Sequence, residues 1–200
     1  MRKSREAKAQ SHQAIVAKAS QMFRERGIEG TSLGDVMQAA SLTHGGFYRH
    51  FDSKEALMIA ALESAFTDVL ETIETGLSAT PRPRALAEFV AYYLSPKMVG
   101  RAGEGCPVAA LSGDVFRSSD ALKAVFGRGA QKIIAVMASF IDGPEDARMR
   151  IAARTFAMAA GAVMIARASD PQTAALVLDA ARQDAGLPRE DEPCSPRQER

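Results

Sequence analysis

The sequence predicts an all-α protein, and three observations carry that prediction. Helix-forming residues (Ala, Leu, Met, Glu, Gln, Arg) dominate the chain. Apolar residues recur at three- and four-residue spacing along most of its length. The nine prolines and fifteen glycines gather mostly in clusters rather than inside those periodic runs. Two hundred residues, 46% hydrophobic and 24% charged, are ample for a globular body with a real core.

The first helix is expected from about Arg5 to Arg26, with Ile15, Ala19, Met22 and Phe23 on one face and Lys18, Arg24 and Glu25 off it. Gly27 is its stop. Ser32 with Asp35 three residues on reads as a variant capping box, opening a short helix that ends near Ala40. After a tight turn at Ser41-Leu42, a third helix is expected from Thr43 to about Phe51. A long fourth helix runs to about Leu77, with Leu62, Phe66, Val69, Ile73 and Leu77 as its stripe. Thr80-Pro81-Arg82-Pro83 breaks the chain before a helix over roughly 84–99, and Gly100 to Gly105 forms a loop. Pro107 suits a first helical position, where its missing N–H costs nothing, and that helix ends near Arg117. Further helices are expected at about 120–141, 145–168 and 171–185, the last capped by Asp170 with Pro171 in first position, about nine in all. Residues 187–200, proline-rich, charged and almost free of apolar groups, are expected to be a disordered tail.

Three helices within about fifty residues, with a short second one and a third opening in small polar residues, make helix-turn-helix geometry. Ile15, Phe23, Leu33 and Val36 pack against Leu42, Phe47 and Phe51, which sets the third helix at an angle suited to a major groove. Its exposed face then offers Thr43, His44, Gly45, Tyr48 and Arg49. Glycines 45 and 46 cost a helix up to about 1 kcal/mol each, but they suit a backbone that must approach another surface. Charge agrees weakly: residues 1–55 carry nine Lys/Arg against six Asp/Glu and all three histidines, whereas the rest carries sixteen against eighteen.

The stretch from Ile15 to Leu57, with Ala19, Phe23, Gly27, Thr31, Ala39-Ala40, Phe47-Tyr48, His50-Phe51, Ser53-Lys54-Glu55 and Leu57, resembles the DNA-binding domain of the TetR family of transcriptional repressors. Ser41 stands where that family usually has a turn glycine, and Gly34 sits inside the short second helix. The resemblance implies a homodimer that reads a palindrome in double-stranded DNA, with recognition elements about 34–36 Å apart. By position, Thr43, His44, Gly45 and Tyr48 become candidates for base-edge and nearby backbone contacts. Thr31, Ser32, His50 and Lys54 become candidates for phosphate contacts, and the arm Arg2-Lys3-Ser4-Arg5 for phosphate or minor-groove contacts. It also implies three regions: a DNA-binding domain at 1–55, a helical effector-binding and dimerisation domain at 56–186, and the tail.

In the second region the resemblance implies a cavity for a small-molecule effector. Tyr93, Phe116, Met137 and Phe156 are the leading candidates to line it, with ordinary core packing as the competing role of each. The scarcity of charge on those faces favours a mostly apolar ligand. Cys106, just before Pro107, is placed at a helix N-terminus whose partial positive charge favours a thiolate. It is a candidate sensor of electrophiles or oxidants as well as a plain buried hydrophobe. Small residues such as Ala152, Ala159, Ala160, Gly161 and Ala162, with Ile151, Val163, Leu176 and Leu178, predict that the last two helices form the dimer interface.

Other classes find little support in the sequence. There are no paired catalytic carboxylates at a sensible spacing, no HExxH, no phosphate-binding glycine loop, no nucleophile elbow and no Cys/His cluster with metal-ligand spacing, so neither an enzyme nor a cofactor or metal protein is expected. Two cysteines, Cys106 and Cys194, make no disulfide framework and suit a cytoplasmic protein. No signal peptide and no run of about 18 apolar residues is present, which predicts neither export nor a membrane partner. A helical interaction protein without specific DNA binding is the alternative reading.

Overall fold

The computed structural model describes residues 2–187, with residues 2–4 described by their backbone alone. Among the described residues are nine α-helices, three short 3-10 segments and no strand, so the all-α expectation holds. The expected tail and Cys194 lie outside the described residues, apart from Leu187, as do the side chains of the basic arm apart from Arg5.

Local chemistry sets most of the boundaries. Helix α1 (Arg2–Arg26) stops at Gly27, whose φ of 77° is the left-handed conformation glycine adopts cheaply. The Gly27 N–H donates to Phe23 O at 2.9 Å. Helix α2 (Leu33–Ala39) opens with the expected capping box: Ser32 Oγ accepts from Asp35 N–H at 3.1 Å, and Asp35 Oδ2 accepts from Ser32 N–H at 3.3 Å. These bonds hold the Asp35 carboxyl below its usual pKa. Helix α3 (Lys54–Ser78) is capped by Ser53 Oγ. The single helix expected over 84–99 is instead α4 (Ala85–Tyr93) and α5 (Pro96–Gly100). Pro96 carries no N–H to continue the ladder and disfavours helical backbone at Ser95, so the chain breaks there.

Helices α6 (Pro107–Phe116), α7 (Asp120–Ser139), α8 (Glu145–Ala168) and α9 (Pro171–Asp184) follow within a residue or two of expectation. Asp170 caps α9, its carboxylate accepting from the N–H groups of Gln172 and Thr173, which also lowers its pKa. For Asp35 and Asp170 alike the depressed native pKa means stability that is present above the ordinary carboxylate range. It is lost as pH falls below that range.

The described residues form two compact units, residues 2–74 with 101–136 and residues 75–100 with 137–187. The core of the first contains Ile15, Phe23, Val36, Phe47, Phe51, Leu57, Leu62, Leu111 and Leu122, all buried. Here α3 meets α7 through Phe66 and Phe126, ring centroids 5.8 Å apart and edge to face. A Cβ at Gly129 would run into the Phe66 ring itself. Gly129→Ala is therefore expected to destabilise the fold by about 1–3 kcal/mol through overpacking, although alanine is the better helix former by up to about 1 kcal/mol. A rise in melting temperature on that substitution contradicts the close approach.

In the second unit α8 packs on α4, α5 and α9. Phe89, Tyr93 and Phe156 interlock, with centroids 5.4, 6.3 and 5.9 Å apart. The Arg167 guanidinium donates to the carbonyls of Met98 and Val99, satisfying the last turn of α5. Helix α8 is long and apolar enough to cross a membrane by those measures alone, but Arg148, Arg150, Arg154 and Arg167 punctuate it and its small-residue face is buried within the unit. An apolar groove lined by Ala157, Met158, Gly161, Ile165 and Val177 runs between α8 and α9. Ile165 and Leu176 stand 47% and 68% exposed.

Candidate nucleic-acid interface

The recognition element departs from expectation in form. A third α-helix is expected from Thr43 to about Phe51, whereas His44–Arg49 is a 3-10 segment of six residues. Two adjacent glycines weaken any α-helix, and a run this short gains few i→i−4 bonds, so the tighter geometry wins. The turn before it holds Ser41 at φ 58°, the position the usual glycine would occupy; the serine pays a steric cost there that a glycine would not. Helix α2 packs on the segment.

Phe47 anchors it. That ring is fully buried, stacked near Phe51 (5.7 Å) and edge-on to Tyr48 (5.1 Å). Because Phe47 points inward, its neighbours point out: Thr43, His44, Gly45, Tyr48 and Arg49 are all exposed, Tyr48 by 70%. A Cβ at Gly45 would meet nothing within 4 Å. No contact within the protein requires a glycine there, which leaves close approach to an outside surface as its use. Gly45→Ala is expected to leave the melting temperature unchanged or raised while weakening duplex DNA binding about tenfold, or 1.4 kcal/mol. Unchanged DNA affinity removes that explanation.

The phosphate candidates divide. Ser32 is exposed but its hydroxyl is engaged in the α2 cap. Thr31 is buried, and its hydroxyl donates to Gly27 O (2.9 Å) and Met22 O (3.3 Å), tying off the α1–α2 turn. Lys54 is half-buried, and its ammonium donates to Ile28 O at 3.3 Å, with two further hydrogens to offer. His50 is half-buried, and burial followed by the nearby His12, Lys8 and Arg49 lowers its pKa.

The effector candidates fall in different compact units, Tyr93, Met137 and Phe156 in one, Cys106 and Phe116 in the other. The first three and Cys106 are buried. Phe116 is corrected: as the last residue of α6 it is 77% exposed and lines no interior. Cys106 occupies the N-cap of α6, as expected. Arg24, expected off the apolar face, is 8% exposed, its Nη1 donating to Gly105 O at 3.3 Å. Burial lowers its pKa, opposed first by Asp68 and then by Cys106. Its partner lies 81 residues away, so helical periodicity carries no signal of it. The other residues that sequence reasoning missed are Lys8, Ser11 and His12, which line or flank the recognition segment.

Residues 15–61 match the family model described as bacterial regulatory proteins, tetR family. The chain is 33% identical over 113 residues to the transcriptional repressor DhaR of Mycobacterium sp. strain GP1, covering 56% of this chain and 55% of DhaR. It is 27% identical over 135 residues to the repressor NemR of Escherichia coli K12, covering 64% and 65%. The chain thus spans between half and two thirds of the length of these curated relatives. Among solved structures, a TetR-family regulator from Cytophaga hutchinsonii superposes with a TM-score of 0.76 at 23% identity, over 90% of this chain and 95% of that one. The match over residues 15–61 covers the helix-turn-helix built around Phe47, so this segment is similar to the tetR family of bacterial regulatory proteins, and the solved structure shares the helical fold.

Proposed function

We propose that this protein is a cytoplasmic, non-enzymatic transcriptional repressor that binds a palindromic operator as a homodimer and leaves it on binding a small, mostly apolar or electrophilic effector. The observation that carries the reading is the recognition segment, which buries Phe47 and turns Thr43, His44, Gly45, Tyr48 and Arg49 outward. Thr43, His44, Gly45 and Tyr48 address base edges and the adjacent backbone. Arg49, His50 and Lys54 address phosphates, and Ser32 adds its exposed cap at the α2 N-terminus. Thr31 acts through the turn it closes. The regions at 1–55 and 56–186 divide the work between DNA and effector.

Release requires the effector to favour the geometry that does not fit DNA, by several kcal/mol of differential affinity. The interlocked rings of Phe89, Tyr93 and Phe156, with Met137, supply an apolar environment that a ligand enters by displacing one ring contact. Cys106 supports the electrophile branch through its position at the N-cap of α6 and the buried cation Arg24 nearby, which offset the burial of the thiol. On that branch Cys106→Ser retains operator binding but no longer releases DNA when treated with a quinone. Full release from the variant removes the branch.

The direct test is the salt dependence of binding to duplex DNA. A reader that neutralises several phosphates loses affinity steeply as salt rises, with log K falling by about 0.9 per phosphate for each decade of salt. A flat salt response, from folded protein, contradicts DNA binding.

A further inference from the structure

We propose that the cleft between α1 and the recognition segment is a phosphate site, formed by Lys8, Ser11, Arg49 and His50, that receives a backbone phosphate of bound DNA. The inference rests on the DNA-binding reading and extends it along α1 beyond the basic arm at residues 2–5, to Lys8 and Ser11.

The cleft has a volume of about 540 Å³ and is lined by these four residues together with Thr43, Met37 and small or apolar neighbours. Its lining offers an ammonium, a guanidinium, an imidazole and two hydroxyls, and no carboxylate. That donor set fits a phosphodiester oxygen. The His50 ring centroid lies 6.2 Å from that of His12, which in turn stacks on the buried Phe51 at 4.5 Å. His50 Nδ1 is out of reach of solvent and has no hydrogen-bond partner, so the folded chain leaves that nitrogen unsatisfied.

The groups facing His50 are all basic: Lys8 and His12 from α1, and Arg49 from its own segment. Helix α2 also packs on the segment, but its one ionisable residue, Asp35, is engaged with Ser32. Glu6 and Asp52, the nearest carboxylates along the chain, do not line the cleft. Burial, followed by these basic neighbours, holds His50 below its ordinary pKa in the free protein. A phosphate reverses the balance, so DNA binding is coupled to proton uptake by His50. The sign follows: DNA affinity strengthens as pH falls towards 6. Free-protein stability moves the other way, declining as pH falls below about 6.5, because the unfolded chain takes up that proton more readily.

The experiment measures anisotropy of a labelled duplex against pH and salt for the full chain, Lys8→Ala and His50→Gln, with thermal melts to confirm folding. Lys8 is exposed, so its variant folds. The wild-type protein is expected to bind about three- to tenfold more tightly at pH 6 than at pH 8, and the share of that change lost in His50→Gln is the contribution of His50. His50→Gln is expected to flatten that profile, and Lys8→Ala to lower the salt slope by about 0.9. Binding that is independent of pH and unchanged in Lys8→Ala overturns the cleft while leaving DNA binding intact. Absence of any duplex binding overturns both. A saturable shift of the His50 proton resonance by inorganic phosphate, with DNA affinity unmoved in Lys8→Ala, assigns the cleft to free phosphate and overturns the DNA assignment.

Discussion

Phe47→Ala is expected to cost about 3–5 kcal/mol and to abolish DNA binding with it. The ring is fully buried, and it holds both Phe51 and Tyr48. Its removal leaves a cavity beneath a six-residue 3-10 segment held by only a few i→i−3 backbone bonds. Against a typical total stability of about 5–15 kcal/mol the loss is large. Tyr48→Ala is the control, since Tyr48 is 70% exposed. It should melt near the wild-type temperature, with any deficit confined to DNA affinity. Thermal denaturation followed by circular dichroism, beside anisotropy on a duplex, separates the two. Equal melting temperatures for wild type and Phe47→Ala contradict the anchoring role.

Ile165→Glu is expected to convert the dimer to a monomer and to weaken operator binding by on the order of 100-fold. Ile165 lines the apolar groove between α8 and α9 and is 47% exposed, and Leu176 on α9 is 68% exposed, the kind of apolar surface that marks an interaction site. In the proposed homodimer a second copy related by a two-fold axis would cover it with the same groove, so a carboxylate there would be desolvated twice per interface. The DNA effect follows from linkage. A monomer engages one half-site, and the gain from tethering two readers, typically 10²–10⁴, is lost. Light scattering at micromolar concentration reads the first effect and anisotropy the second. A variant that remains dimeric, or a wild-type protein that is monomeric, contradicts this assignment of the interface.

What was legible in the sequence is what short-range chemistry decides. Gly27, the Ser32–Asp35 box and the Asp170-Pro171 pair mark helix ends within three or four residues, and each sits as expected. The outward set at Thr43, His44, Gly45, Tyr48 and Arg49 was legible too, because one inward aromatic fixes which neighbours face out. The form of that segment was not. Both a 3-10 turn and a short α-helix bury Phe47, and the balance turns on backbone terms of about 1 kcal/mol at Gly45 and Gly46. The separation of α4 from α5 was readable in Pro96, yet the apolar period on either side concealed it. Arg24 and the Lys8–Ser11 cleft depend on partners far along the chain, and periodicity is silent about those. Phe116 illustrates the converse, an aromatic at helical spacing that tertiary packing leaves in solvent.

Specific DNA reading by a two-fold assembly is open to selection of the purified protein against a random duplex library. The expected result is an enriched palindrome whose half-sites lie about 34–36 Å apart, one helical turn, or a multiple of that. No enrichment at low salt, from a protein shown to be folded and dimeric, contradicts it.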